Sequence, residues 1–341
     1  MTSRGKVVLG TVLTVLAIGG AAFGYMALTG KDVPIVGNLI RPDPPTCPLT
    51  GEPPSDEALL DRPVLAVKVE NIAESRPQAG LARADVVYEQ PVEGGITRFI
   101  ALYHCRDADR IGPVRSGRRM DADVLRQFGR PIFAFAGGVD AVFRSVARAR
   151  LVDMNFIVAE QLYGKDPNRL APHNLFISTS SFYEAAEGGE APGETPFSFA
   201  DEPPGETASK PARVIRATFS PQAEVLWRYN RKRDRWQRFH GEERHRLESG
   251  AVSARNVVVQ VVNVRAGGVL DAAGNPSPEV DVTGRGKVYV FRDGRVVEGR
   301  WSRPRRGALT EYVDANGDPI PLAPGTTWVE LFPRDLPFSF E

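Results

Sequence analysis

Histidine, cysteine and the short catalytic signatures are scarce in this sequence. The four histidines, His104, His173, His240 and His245, show no zinc-ligand spacing. No G-x-S-x-G elbow occurs, which removes the signature of an α/β-hydrolase nucleophile. Gly137-Gly138 sits between an apolar strand and a helical pattern. Neither the Lys-Ser/Thr of a P-loop nor the G-x-G-x-x-G of a dinucleotide site accompanies it, so a tight turn into a packed helix is the reading. Asp314-Ala315-Asn316-Gly317-Asp318 begins like a calcium loop, but its twelfth position is Gly325, where a bidentate Glu is required. No metal and no cofactor are therefore expected. An excess of either charge is also missing. The 43 basic and 42 acidic residues leave a net +1, which argues against bulk nucleic-acid binding. Sustained heptads are absent, which disfavours a coiled coil.

One long apolar run is present. Val7–Leu28 holds 22 residues without a charge. A bilayer core needs about 20, and a signal peptide uses roughly 7–15. Arg4 and Lys6 precede it, so the N-terminus is expected to stay cytoplasmic and the remainder to be exported. Residues 1–30 read as an uncleaved anchor, and the protein as a single-pass protein of the cell membrane. Small residues at Gly19–Gly24 offer a cleavage site as the alternative. No cysteine at the end of the run supplies a lipid attachment point. The two cysteines, Cys47 and Cys105, lie beyond it. An oxidising compartment and an even count favour a disulfide between them, contributing about 4 kcal/mol in the chain-entropy account. Two separate thiols are the alternative.

Residues 31–61 are Pro-rich and read as a stiff spacer. Over 62–187, strand and helix patterns alternate. Strands are expected at Pro63–Asn71, Asp85–Glu93, Ile96–Cys105, Pro131–Ala136, Leu151–Val158 and Asn174–Ser178. Helices are expected at Arg118–Phe128, at Asp140–Arg150, and from a Ser180 or Ser181 cap to about Glu187. Gly94-Gly95 reads as a hairpin turn. Residues 188–211, rich in Gly, Pro, Glu and Ser, read as a linker. Residues 212–341 consist of strand-like runs with Asp293-Gly294 and Asn316-Gly317 as turns. The expected fold class is α+β: an α/β-like N-terminal lobe and a mainly antiparallel β C-terminal lid lobe, preceded by one transmembrane helix. Arg228, Arg231, Lys232, Arg233, Arg235 and Arg238 are interleaved with Trp227, Tyr229, Trp236 and Phe239. Outside the membrane this suits a solvated hairpin with a charged tip better than a nucleic-acid surface.

The stretch with most chemistry is Asp85–Gly129. Eight arginines fall between Arg98 and Arg130, with Glu89 and Glu93 just ahead of them. Gly112-Pro113 and Ser116-Gly117 before a helix would leave backbone N–H groups free, and such groups beside arginine make an anion site. A structural network in which Glu89 and Glu93 neutralise Arg98, Arg115 and Arg118 is the competing reading.

Several runs carry a resemblance: Leu65–Asn71 (LAVKVEN), Arg76–Gly80 (RPQAG), Ala84–Glu89 (ADVVYE), Glu93–Arg98 (EGGITR), Gly112–Arg118 (GPVRSGR), Ala171–Leu175 (APHNL), Asn256–Gln260, Gly286–Trp301 and Gly325–Val329. From about Leu49 onward the chain resembles the YerB-like bacterial envelope proteins. That resemblance implies a domain of unknown function with a smaller C-terminal lid and an extracytoplasmic location. It implies no reaction. Many such proteins are lipoproteins, whereas this sequence resembles a signal-anchored version. Around His240 the expected acidic partner is Glu242.

The expectation is a binding or regulatory module with the membrane as one partner through its N-terminal helix. A second partner would be an anionic envelope ligand or a cell-wall synthesis protein. Arg98, Arg115 and Arg118 would supply charge, and Ser116 and Gly117 backbone donors. Glu89 and Glu93 would supply orientation, and His173 and Asn174 a polar edge. The alternative is an enzyme acting on a phosphate-bearing wall or lipid-linked precursor. It needs a carboxylate or histidine facing an open pocket beside the arginines.

Overall fold

Alternating burial in the strand Thr97–Tyr103 lays out the architecture. Phe99, Ala101 and Tyr103 enter one hydrophobic core, and Ile100 and Leu102 enter another, because successive strand side chains point to opposite faces. Val257 and Val259 divide from Val258 and Val262 in the same way, and Trp328 from Val329 and Leu331. All belong to one sheet with a core on each face. The computed structural model describes residues 44–271 and 274–341. The expected anchor and most of the Pro-rich spacer lie outside the described residues. No helix among the described residues is long and apolar enough to cross a membrane.

Five strands of this sheet come from the first part of the chain: β1 (Leu65–Val69), β2 (Val86–Pro91), β3 (Thr97–Tyr103), β4 (Ile132–Ala134) and β5 (Val152–Asp153). The short β6 (Gly164–Lys165) and β7 (Leu175–Phe176) pair with each other. β8 (Lys210–Pro211) follows, and then β9 (Val214–Ser220), β10 (Ala223–Asn230), β11 (Arg235–His240), β12 (Glu243–Arg244) and β13 (Ser253–Ala254). The remaining strands are β14 (Asn256–Val262), β15 (Val264–Leu270), β16 (Pro276–Val280), β17 (Gly284–Arg292), β18 (Arg295–Arg303), β19 (Glu311–Val313), β20 (Thr327–Pro333) and β21 (Phe338–Phe340). The eleven-stranded sheet runs β19-β18-β17-β14-β20-β2-β3-β1-β4-β5, with β8 on β18. β2 and β20 pair in parallel, Val87 beside Trp328 and Glu89 beside Glu330. Strands from either side of residues 188–211 thus share one sheet, and Thr46–Glu341 is one compact unit.

A second sheet, β12-β11-β10-β9-β21 with β13 on β11, covers one face. It buries Ile215, Trp227 and Trp236 against Phe99, Phe291 and Trp328. The Trp227 and Trp328 rings stand 5.4 Å apart edge to face, a favoured aromatic geometry. Two helices cover part of the other face: α1 (Asp121–Leu125) and α2 (Asp140–Ala149) bury Val124, Leu125, Val142 and Val146 against Ile100, Phe133 and Phe135. A third, α3 (Thr179–Ala185), packs Phe182 into the first core. The protein is therefore a mixed, sheet-rich fold with few helices.

Several boundaries differ from expectation for local reasons. α1 is shorter than Arg118–Phe128, because the Asp121 carboxylate accepts the Arg118 N–H at 2.7 Å and holds residues 118–120 in a turn. α3 is capped by Ser178, whose Oγ accepts the Ser181 N–H, and not by Ser180 or Ser181. Only Val152–Asp153 of the apolar stretch to Val158 is strand, since Asn155 Oδ1 takes the Ile157 N–H and turns the chain. The β2–β3 turn is wider than a two-residue hairpin. The last register pair is Pro91 with Thr97, and Gly94 and Gly95 sit at φ +72° and +71°. Asp293-Gly294 is the expected tight turn, at φ +53° and +67° between Arg292 and Arg295. The Cys47–Cys105 disulfide is present.

Candidate functional site

Lys68 and Glu70 are two positions apart, so they leave the end of β1 toward the same face. Both are buried and both require partners. Lys68 Nζ lies 2.8 Å from Asp121 Oδ1, with both side chains fully enclosed. Burial pulls the lysine down to about 8 although Asp121 opposes it. Asp121 also accepts from Gln90 Nε2 on β2. Glu70 Oε1 accepts from Arg98 Nε at 3.1 Å, and Oε2 from Arg115 Nε. Burial alone would raise Glu70, but the two guanidinium groups hold it below the ordinary carboxylate range. One carboxylate between two arginines leaves one positive charge over.

Residues 113–117 thread between the ends of β1 and β4. Glu70 N–H donates to Pro113 O at 3.0 Å, Arg115 N–H to Lys68 O at 2.8 Å, Ala136 N–H to Arg115 O at 3.0 Å, and Gly117 N–H to Gly137 O at 2.9 Å. β1 and β4 are parallel, so this loop stands outside their carboxyl ends, where parallel sheets commonly hold ligands. Gly117 makes a close approach: a Cβ there would lie 3.0 Å from Phe135 and 3.1 Å from Val142, so those side chains would have to shift. Arg118 Nε donates to Glu93 Oε2 at 2.8 Å, and Ser277 Oγ on β16 donates to Glu93 Oε1. Burial would raise Glu93, but the Arg118 and Ser277 hydrogen bonds hold it low. Arg119 Nη2 donates to Glu279 at 2.6 Å. The β15–β16 hairpin is thereby tied to the arginine loop.

Between them lies a pocket of about 320 Å³. Arg98, Arg115, Ser116, Gly117, Arg118 and Arg119 form one wall, and Gly138, Val139, Val142 and Ser277, with the carboxylates Asp271 and Glu279, close it. Five of the residues singled out in the sequence thus meet in one cavity, with Glu93 holding Arg118 from behind. One of the two expected backbone donors is engaged internally. The Gly117 N–H is taken by Gly137, and the loop presents acceptors instead. Ser116 O faces Arg98 Nη1 and Arg118 Nη1, and Gly117 O accepts from Arg118 Nη1 at 2.9 Å. The positive charge in this pocket is therefore carried by guanidinium groups, chiefly Arg115, whose side chain donates among the described residues only through Nε.

His173 lies outside the pocket wall. Its Nδ1 is buried without a hydrogen-bond partner, 3.9 Å from Glu70 Oε2. Asn174 contributes its backbone carbonyl to the Asp166 N–H at 2.8 Å. Glu89 sits on the opposite face of the sheet, by parity: Val87 enters the core under the second sheet, so Glu89 does too, while Gln90 points to Asp121. Glu89 receives Arg238 Nη2 at 2.8 and 2.7 Å and Thr97 Oγ1 at 2.6 Å. Arg238 is fully buried, which corrects its place in a solvated hairpin; its Nη2 reaches both Glu89 oxygens, and this ion pair makes such burial tolerable. Glu242 pairs with Arg228 and not with His240. Beside Glu89, burial and the neighbouring carboxylate push Glu330 well up. Trp227 Nε1 donates to its Oε1 at 2.9 Å.

The chain belongs to the DUF3048 family, described as proteins of unknown function: the N-terminal domain of that family matches residues 49–191 and the C-terminal domain residues 215–329. It is similar to the protein named "Putative lipoprotein YerB" of Bacillus subtilis (strain 168), 29% identical over 330 residues that span 94% of this chain and 95% of that protein. The crystal structure of YerB from Bacillus subtilis superposes with a TM-score of 0.72 at 23% identity, covering 86% of this chain and 99% of that one. The fold is thus a YerB-like fold.

Sequence reasoning missed Lys68, Glu70, Asp121, Arg119 and Ser277. For the first two a signal existed: two charges two apart, closing an otherwise apolar strand pattern, must share one face and find buried partners. Nothing local marks Ser277, which reaches Glu93 across 184 residues of sequence.

Proposed function

We propose that this is an extracytoplasmic, envelope-associated binding module, and that its arginine-lined pocket takes an anionic group such as a phosphate. The name of the Bacillus relative as a lipoprotein supports the envelope location. The apolar Val7–Leu28 run supports attachment through the N-terminus. The observation that carries the ligand reading is the sharing of Glu70 by Arg98 and Arg115 at the wall of an open cavity. Two guanidinium groups there share one buried carboxylate, and guanidinium donors in that setting favour a planar or tetrahedral oxyanion.

Binding is favoured over catalysis because the candidate acids and bases are engaged or displaced. Glu70 and Glu93 are held by arginines, Glu89 is on the other face with Arg238, and His173 does not line the cavity. The test is calorimetric titration of the full-length protein in detergent with inorganic phosphate. Arg115→Ala should weaken binding by at least tenfold, the loss of one charge-assisted hydrogen bond of about 1.5–3 kcal/mol. Glu70→Gln should strengthen it by freeing both guanidinium groups. Affinity indifferent to both changes would remove the pocket from the reading.

A further inference from the structure

A second basic feature adjoins the pocket. A cleft of about 200 Å³ between α1, α2 and the loop at Arg306 is lined by Arg119, Arg126, Arg144, Arg148 and Arg306, with Asp123 as its one carboxylate. Five guanidinium groups against one acid is a local concentration of charge in a chain whose net charge is only +1. Arg98, Arg115, Arg118 and Arg238 are each held by a buried carboxylate. In the cleft Arg119 is held by Glu279 at 2.6 Å, but the other four are poorly paired. Arg306 reaches Asp123 at 3.3 Å, and Arg144 is 3.9 Å from an exposed Asp140. Arg126 and Arg148 have no acidic partner among the described residues, and Arg126 Nε is buried without a hydrogen bond. Arg144 and Arg148 are four residues apart on α2, where like charges repel. Such an arrangement gains stability when an external anion supplies the missing charge.

Arg119 lines both this cleft and the Arg115 pocket, so the two form one track. We propose that the track binds a linear polyanion with repeated phosphate groups, one group in the Arg115 pocket and the next over Arg144 and Arg148. This rests on the reading of the pocket as an anion site and adds the class of ligand. A soluble polymer fits better than a bilayer surface. Surface-binding elements set apolar side chains beside their basic ones, and the large exposed apolar residues Ile157, Val158, Leu170 and Leu270 all lie outside the cleft.

The test compares linear inorganic polyphosphate with orthophosphate on the full chain in neutral detergent. Wild type should bind polyphosphate at least tenfold more tightly than orthophosphate. Arg144→Ala/Arg148→Ala, both on an exposed helix face, should lose that advantage, keep orthophosphate affinity, and show a shallower dependence on salt, by about 0.7 in log–log slope per charge removed. Arg231→Ala/Arg233→Ala, at the exposed β10–β11 turn, removes equal charge and should bind as wild type. Equal loss in both double variants means diffuse attraction and overturns the proposal, as does unchanged polyphosphate binding by Arg144→Ala/Arg148→Ala. Retention of wild type, but not of that variant, by phosphatidylglycerol micelles in place of polyphosphate would assign the cleft to lipid and also overturn it. Loss of orthophosphate binding on Arg115→Ala is read separately and concerns the pocket alone.

Discussion

Acid should weaken this protein through His245, and the structure supplies the size of the effect. Arg238 Nη1, which can only donate, lies 2.9 Å from His245 Nδ1. Nε2 therefore carries the hydrogen and donates to Gln78 Oε1 at 2.9 Å. A second proton would bring an N–H against a guanidinium in a fully buried site. Burial first, and then the charge of Arg238, hold the ring's pKa well below 6.5. Because the folded pKa is depressed, the unfolded chain binds more protons below pH 6.5, so stability is present above that value and lost as pH falls. Each pH unit below 6.5 costs about 1.4 kcal/mol for such a group, or about 2 kcal/mol between pH 7.5 and pH 5. His245→Gln can still accept from Arg238 and donate to Gln78, so it should cost about 1 kcal/mol at pH 7.5 and lack this acid-dependent loss. Urea unfolding followed by fluorescence of the buried tryptophans, at both pH values, reads the difference. The gap between wild type and variant should close or reverse at pH 5. A gap of the same size at both pH values would show that the ring is not held neutral.

Two further outcomes are expected. Cys47→Ser/Cys105→Ser opens a bridge across 58 residues of sequence and should lower stability by about 4 kcal/mol; urea midpoints of oxidised wild type and variant should differ accordingly, and coincident midpoints would contradict this. Glu330→Gln should cost much less than Glu89→Gln, because burial and the neighbouring Glu89 favour the neutral form of Glu330, whereas Glu89→Gln strips Arg238 of its buried counter-charge and should cost about 3–5 kcal/mol; the same cost for both by denaturation would refute this contrast.

Much of the second part of the chain was legible because alternation of side chains survives in the sequence. Residues 212–341, expected as strand-like runs, include the long strands β17 and β18. Asp293-Gly294 fixed their turn, since Asp and Gly accept positive φ. α2 was legible from the spacing of Val142 and Val146, and ends at Arg150 in the left-handed region. The site was half legible. Arg115, Ser116, Gly117 and Arg118 are contiguous, and Arg98 follows them onto the same side through the adjacent β3–β1 pairing. The face on which Glu89 would fall was not. Val86, Val87 and Tyr88 are all buried, so no polar alternation marks one side of β2 from the other.

Local composition, then, indicated many of the extended segments and the turn at Asp293-Gly294, because each depends on neighbours a few residues away. Which carboxylate meets which guanidinium depended on packing. Glu70 finds Arg98 and Arg115 because β1 and β3 are adjacent and residues 113–117 thread past the strand end. Arg238 enters the core because Glu89 is presented from a strand 149 residues away. Buried charge is stable only when a partner arrives from elsewhere in the fold, so tertiary structure alone decided which arginines became internal struts and which still face solvent.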